Sequence, residues 1–278
     1  MVRSLTPAER QRFHSLFPSL DVNRAVVTGE MSTVYNCVSW TVGITNRWIW
    51  PGNSSANFDA FYHGFGFVRA GDGTIAAWGL STSNMAHASV TGSEHGPRWE
   101  SKCGADLRIQ HGLNELVSSS YGRVLAFYRR SRTLPAVYEP AREQIMKQKT
   151  AKSSLSAAQK RTLHTEQGRM PEELRAAFEN AFAAWKTTWF SGGLAISSVP
   201  HARAVGKEFD ALIALGPAIL PLLVEKLADP ENFLALQLYD ALQSNEKLLV
   251  QFEPDDERIL EGEQGRAQRV VQAWFANQ

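Results

Sequence analysis

The feature that most constrains this chain is a change of hydrophobic period near its middle. Between Phe65 and Lys102 the apolar residues come in short runs, Phe65 to Arg69, Thr74 to Leu80, Ala86 to Val90 and Arg98 to Lys102. Gly71-Asp72-Gly73, Ser81-Thr82-Ser83-Asn84 and Gly92-Ser93-Glu94-His95-Gly96-Pro97 separate them, and such compositions turn a chain rather than continue an element. Gly122 to Arg130 supplies a further strand candidate after a short helix expected through His111 to Leu116. From Pro171 the pattern changes: Leu174, Phe178, Phe182, Trp185 and Trp189 recur every three or four residues, the spacing of one helix face. The prediction is an α+β domain over 1–135 with an antiparallel sheet, a polar and basic linker or extended helix over 136–170, and an all-α multi-helix domain over 171–278.

Helices are expected ahead of the strands. Thr6-Pro7-Ala8-Glu9 places an N-cap hydroxyl, a proline at the first helical position and a glutamate at the third, with Phe13, Leu16 and Phe17 as the buried face. A loop is expected from there to about Val34. Asn57 to Phe67 reads as a second helix with Phe58, Phe61 and Tyr62 stacked, stopped by glycines. The run Cys37 to Gly43 between them fits a helix, with Cys37, Trp40 and Thr41 on one face, or a strand, with Cys37, Ser39 and Thr41 together. In the later half, Phe209 to Leu215, Ala218 to Leu227, Phe233 to Leu242 and Val270 to Phe275 read as further short helices without a fixed repeat period.

Composition narrows the function classes. With 278 residues and 44% hydrophobic content the chain can build its core without metals or disulfides, and its two cysteines, Cys37 and Cys103, form no framework. A formal net charge of +1 offers nucleic acid and anionic membrane almost nothing, so neither is an expected partner. The N-terminal residues carry no apolar signal core, and the longest apolar stretch, Ala211 to Val224, is broken by Gly216, Pro217 and Pro221. Cytoplasmic residence is the expectation. The seven histidines show no metal-binding spacing, and no glycine loop is placed to hold phosphate, so no metal and no cofactor is expected. A zinc cluster of Cys37, His87 and His111 is the weaker alternative.

The residues that suit catalysis are Cys37 and His87. A thiol becomes a nucleophile when a helix N-terminus or a nearby imidazole raises its thiolate fraction, and Cys37 opens the helix reading while His87 sits at the start of a strand that can face it. A third group would orient the imidazole. Glu100 suits that role as a carboxylate; Ser101, Asn84 and His111 are the other candidates, strand alternation grouping Trp99 with Ser101 and Glu100 with Lys102. Oxyanion donors would be the Cys37 amide and the Asn36 side chain. Trp40, Trp48, Trp50 and His111 are candidates to line a substrate cleft.

Tyr35-Asn36-Cys37-Val38-Ser39-Trp40, Asn46-Arg47-Trp48-Ile49-Trp50-Pro51, Ala86-His87-Ala88, Trp99-Glu100-Ser101-Lys102, Ile109-Gln110-His111 and Tyr121-Gly122-Arg123-Val124 together resemble a family described only as a domain of unknown function. Its layout is similar to that of papain-like and NlpC/P60-like cysteine hydrolases, over residues 30–131. The resemblance implies a papain-like core, with a helix pair packed on an antiparallel sheet, Cys37 as nucleophile and His87 as base. It implies a cysteine-dependent hydrolase or acyl transferase, of peptidase or amidase type, acting on a peptide or a small amide or ester. Two features depart from the better-known groups: the third member is not a simple His or Asn, and Cys103 takes a position that related sequences fill with an aliphatic residue. The alternative is a noncatalytic interaction protein, with the core as scaffold and the C-terminal helices, around Trp185 to Phe190, binding a protein partner.

Overall fold

The first helix, α1 (Pro7–Leu16), begins where its sequence says it should. Thr6 accepts from the Glu9 amide and Glu9 answers at the Thr6 amide, closing a capping box, and Phe13 and Phe17 are fully buried. The computed structural model describes residues 2–91, 98–148 and 155–277; the turn expected over 92–97 lies outside them. Two further helices precede the main run of strands, α2 (Cys37–Thr41) and α3 (Ser55–Gly64), each with its own reciprocal cap, Asn36 with Ser39 and Ser54 with Asn57.

Among the described residues eight strands form one antiparallel sheet: β1 (Arg3–Ser4), β2 (Val26–Gly29), β3 (Phe67–Ala70), β4 (Ile75–Ser81), β5 (Asn84–Val90), β6 (Trp99–Lys102), β7 (Arg108–His111) and β8 (Arg123–Arg130). Their spatial order is β1-β2-β7-β6-β5-β4-β8-β3. β2 falls in the stretch expected to be loop, and β7 takes His111 as its last residue, so the helix expected over 111–116 is instead a strand end followed by turns. Both faces of the sheet are covered. One face carries α2 and α3 in a cluster that includes Cys37, Val38, Phe58, Phe61, Tyr62, Ile75, Ala77 and Ala88. The other carries α1 in a cluster of Phe13, Phe17, Ala76, Trp78, Cys103, Ile109 and Tyr121. Ala77 pairs with Ala88 and Trp78 with His87, so the two-residue period of the strands decides which layer each side chain enters.

The chain forms two compact units. The sheet unit consists of Met1–Gln148 together with Ala195–Val199 and Phe252–Leu260; the second consists of Lys149–Leu194, Pro200–Gln251 and Glu261–Gln278. Two later segments thus belong to the first unit, where Ile196, Ile259 and Leu260 are core residues. The N-terminal helices on an eight-stranded antiparallel sheet, followed by a distinct multi-helix domain, realise the expected α+β then all-α architecture.

α4 (Glu139–Lys147) falls in the first segment of the sheet unit, and α5 (Ala157–Gly168), capped by Ser156, falls in the helical unit. The helical unit continues with α6 (Glu172–Thr188), α7 (Lys207–Ala214), α8 (Leu220–Leu227), α9 (Leu236–Leu242) and α10 (Gly262–Ala276). Phe178, Phe182, Trp185 and Trp189 form its aromatic centre, with Trp185 and Trp189 edge to face at 5.0 Å. The indole of Trp185 donates to the Arg203 carbonyl, and the buried Arg203 guanidinium donates to the Trp189 and Leu194 carbonyls.

Candidate functional site

Cys37 is the first residue of α2. Its helix start is fixed by Asn36, whose side-chain oxygen accepts from the Ser39 amide at 3.1 Å and whose side-chain nitrogen donates to the Ile49 carbonyl at 2.7 Å. Asn36 is therefore a cap whose side-chain oxygen and one side-chain N–H are engaged in holding the helix start. The Cys37 amide donates to the Ser198 hydroxyl oxygen at 3.4 Å. The thiol has 0% exposure, and burial pushes its pKa up to about 11, against weaker help from Ser198 and the Ala88 backbone. A helix N-terminus alone does not offset that loss of hydration.

His87 enters the other layer. Its ring stacks on Tyr121 at 3.9 Å and 6°, and its Nε2 lies 2.9 Å from the Ser101 hydroxyl. Ser101 also meets Ser89 at 2.8 Å and His111 Nε2 at 2.8 Å. The direction of this network follows from its ends. Trp78 Nε1 can only donate, and does so to Ser89 at 2.9 Å; the Gly112 carbonyl can only accept, and takes the His111 Nδ1 proton at 2.7 Å. Ser89 then donates to Ser101, Ser101 donates to His111 Nε2, and His87 Nε2–H donates to Ser101. Burial holds both imidazoles neutral, His111 at about 4 and His87 well below its ordinary value. His87 Nδ1 is left as a buried acceptor with no partner among the described residues.

The structure thus brings together His87, Ser101 and His111, and among the described residues no hydrogen bond joins Cys37 to His87. The reason is the strand period. Ala88, next to His87, shares the cluster of Cys37, whereas Trp78, paired with His87, lies in the other cluster. Of the two thiols it is Cys103 that shares the His87 layer, and burial raises its pKa further than that of Cys37. Glu100 likewise does not orient His87. It pairs with Arg108 at 2.8 Å and accepts from Thr28 at 2.8 Å, on the face opposite Ser101, and the Arg108 guanidinium lies 3.9 Å over the Trp40 ring.

The expected cleft is also redistributed. Trp48 is fully buried and its indole donates to the Ser198 carbonyl at 2.9 Å; Trp50 is half-buried, bonded to Asn53 and edge-on to Phe58; His111 belongs to the serine network. Ser101, one of the side chains expected to orient His87, does bond its ring and is the hub of the network. A second buried group had no role in the sequence reading. Lys102 is a buried cation whose three donors reach the carbonyls of Ser32, Gly104 and Asp106 at 3.0, 2.7 and 2.7 Å, and burial lowers it to about 8. Among the described residues no group of three or more His, Cys, Asp or Glu side chains is placed to hold a metal ion. Nor is any described helix long and apolar enough to cross a membrane.

Residues 26–129 match the model of a family described as a domain of unknown function, DUF7689. The match begins at the first residue of β2 and ends inside β8, so it takes in α2, α3 and the Ser101 network but leaves out α1 and the helical unit. No curated protein and no solved structure matches the chain.

Proposed function

We propose that the protein is a noncatalytic interaction module, in which the α+β core is a scaffold and the C-terminal helices carry the surface that binds a protein partner. One observation supports this above the rest: the Cys37 thiol is sealed from solvent with a raised pKa while the His87 imidazole is committed to Ser101 in the opposite layer. A buried, protonated thiol with no bonded base is not poised to act as a nucleophile. Trp185 and Trp189 are buried and do not form the binding surface. The α5 and α8 faces suit that role better. Lys160, Arg161 and His164 border a surface cavity of about 510 Å³ with Glu225, which is bonded to Gln167 at 2.7 Å. Its basic side favours an acidic protein segment. The test is capture of partner from cell extract by wild type, Cys37→Ala and the Lys160→Glu/Arg161→Glu double variant. The reading expects the first two to capture the same protein and the third to lose it; loss with Cys37→Ala alone overturns it.

A cysteine-dependent hydrolase or acyl transferase with a papain-like layout is the second reading, favoured by the place of Cys37 at a capped helix start with its amide turned to an oxygen. In that reading the Cys37 sulfur attacks an amide or ester carbonyl and expels the amine or alcohol, the Cys37 amide receives the oxyanion, and His87, turned from Ser101 towards Cys37, takes the thiol proton and returns it to the leaving group. A covalent mass increase on Cys37 from an activated ester, absent in Cys37→Ser, would support it; an unmodified Cys37 would remove it.

A further inference from the structure

Five residues from the later half of the chain are bound by the sheet unit in the manner of a ligand. Ala195 to Val199 form neither helix nor strand, and they are held largely through their backbone. The Ala105 amide donates to the Ala195 carbonyl at 2.7 Å, the Tyr121 hydroxyl to the Ile196 carbonyl at 2.7 Å, and the Trp48 indole to the Ser198 carbonyl at 2.9 Å. The Cys37 amide reaches the Ser198 hydroxyl. Burial alternates along the segment: Ile196 and Ser198 are sealed, while Ala195, Ser197 and Val199 stay partly exposed. Ile196 packs in the cluster of Phe17, Trp78 and Tyr121, and Ser198 lies against Cys37.

The receiving wall is shaped for a backbone. Gly104 has φ +53°, and a Cβ there would stand 2.4 Å from the Ile196 carbonyl carbon, so a side chain would push the segment off. Main-chain hydrogen bonds with two inward side-chain sites are how a groove recognises a peptide: the first supply affinity and the second specificity. The donors come from three separate places, the Gly104–Ala105 turn, Tyr121 and Trp48.

We propose that this groove is a peptide-binding cleft, that its partner is a protein segment carrying a branched aliphatic residue and, two positions on, a small hydroxyl residue, and that the chain's own Ala195–Val199 is the strap that holds it closed. The strap competes with the partner, so the apparent affinity of the closed protein is reduced by the fraction of time the strap is released. The cleft also covers Cys37, so release exposes the thiol and occupancy protects it. This goes beyond the helical binding surface proposed above, and either can fail while the other stands.

The test uses the full chain and a fluorescein-labelled synthetic peptide of the sequence Leu194 to Pro200. Wild type and Ile196→Gly, whose strap has lost its aliphatic anchor, are titrated by fluorescence anisotropy, and Cys37 is followed with iodoacetamide at pH 8.5. The expected result is binding to Ile196→Gly at least about tenfold tighter than to wild type, alkylation of Cys37 in the variant, protection by the peptide, and no binding of a peptide with aspartate at the Ile196 position. A folded variant that neither binds the peptide nor exposes Cys37 overturns the proposal. So does a concentration-dependent dimer without peptide binding, which would show two copies exchanging straps. Should Ile196→Gly fail to fold, hydrogen exchange on wild type decides: the Cys37 and Ala105 amides are expected to exchange together and faster than Ala88 and Ile109, and exchange of all four only with global unfolding overturns the strap.

Discussion

Ser101 is a single hydroxyl on which two buried histidines and a second serine depend. Its removal leaves the His87 Nε2–H and the His111 acceptor without partners in a layer that excludes water. Ser101→Ala is therefore expected to destabilise the fold by about 2–4 kcal/mol, as read by urea denaturation, although it deletes only one oxygen. The same network makes an acid-sensitive fold. His111 titrates at about 4 when folded against 6.5 ordinarily, and His87 is shifted in the same direction. The unfolded chain binds more protons through that window, so stability is full above about pH 6.5 and falls as pH drops towards 4. The His111 share is roughly 3 kcal/mol, and His111→Gln is expected to flatten the slope of stability against pH between those values. A slope unchanged in the variant would show that His111 does not titrate as described. At this scale the sequence pointed to the right strands and split Trp99-Glu100-Ser101-Lys102 into its two faces. It did not reveal which face His87 shares, because that depends on the pairing of Trp78 with His87 and on the side from which α2 approaches.

Elements are governed by their ends. The caps of α1 and α2 have the same chemistry in different surroundings: Thr6 is exposed, whereas Asn36 is fully buried and also holds the Ile49 carbonyl. Thr6→Ala is expected to cost about 1 kcal/mol, and Asn36→Ala about 2–4 kcal/mol because a buried carbonyl is left unpaired as well; denaturation midpoints of the two variants check the order. α1 was readable from Thr6-Pro7-Ala8-Glu9 because the capping box is local. β2 and β7 were not. Arg108 and Gln110 alternate with Ile109 and His111, yet both faces of this strand are covered, and Arg108 is paired with Glu100 and donates to the Thr28 hydroxyl. Period-2 reading looks for one polar face in water, so a strand whose polar side is satisfied inside the protein does not resemble one.

For the whole molecule, the switch from short glycine-punctuated runs to a helical period was enough to read an α+β region followed by an all-α one. The assignment of Ala195–Val199 and Phe252–Leu260 to the sheet unit was not readable, since it rests on contacts between residues far apart in sequence, 75 apart for Tyr121 with Ile196 and 161 for Cys37 with Ser198. In the proposed interaction role, Lys160→Glu/Arg161→Glu is expected to weaken partner capture by about tenfold or more through charge reversal, with Cys37→Ala without effect. The functional conclusion rests on the state of Cys37, and alkylation of the native chain with iodoacetamide at pH 6, read residue by residue by mass spectrometry, tests it most directly. Both Cys37 and Cys103 are expected to stay unmodified until the chain is denatured and then to react alike. Stoichiometric modification of Cys37 in the native chain, with Cys103 spared, would contradict the structure's separation of thiol and imidazole and return Cys37 to the role of nucleophile.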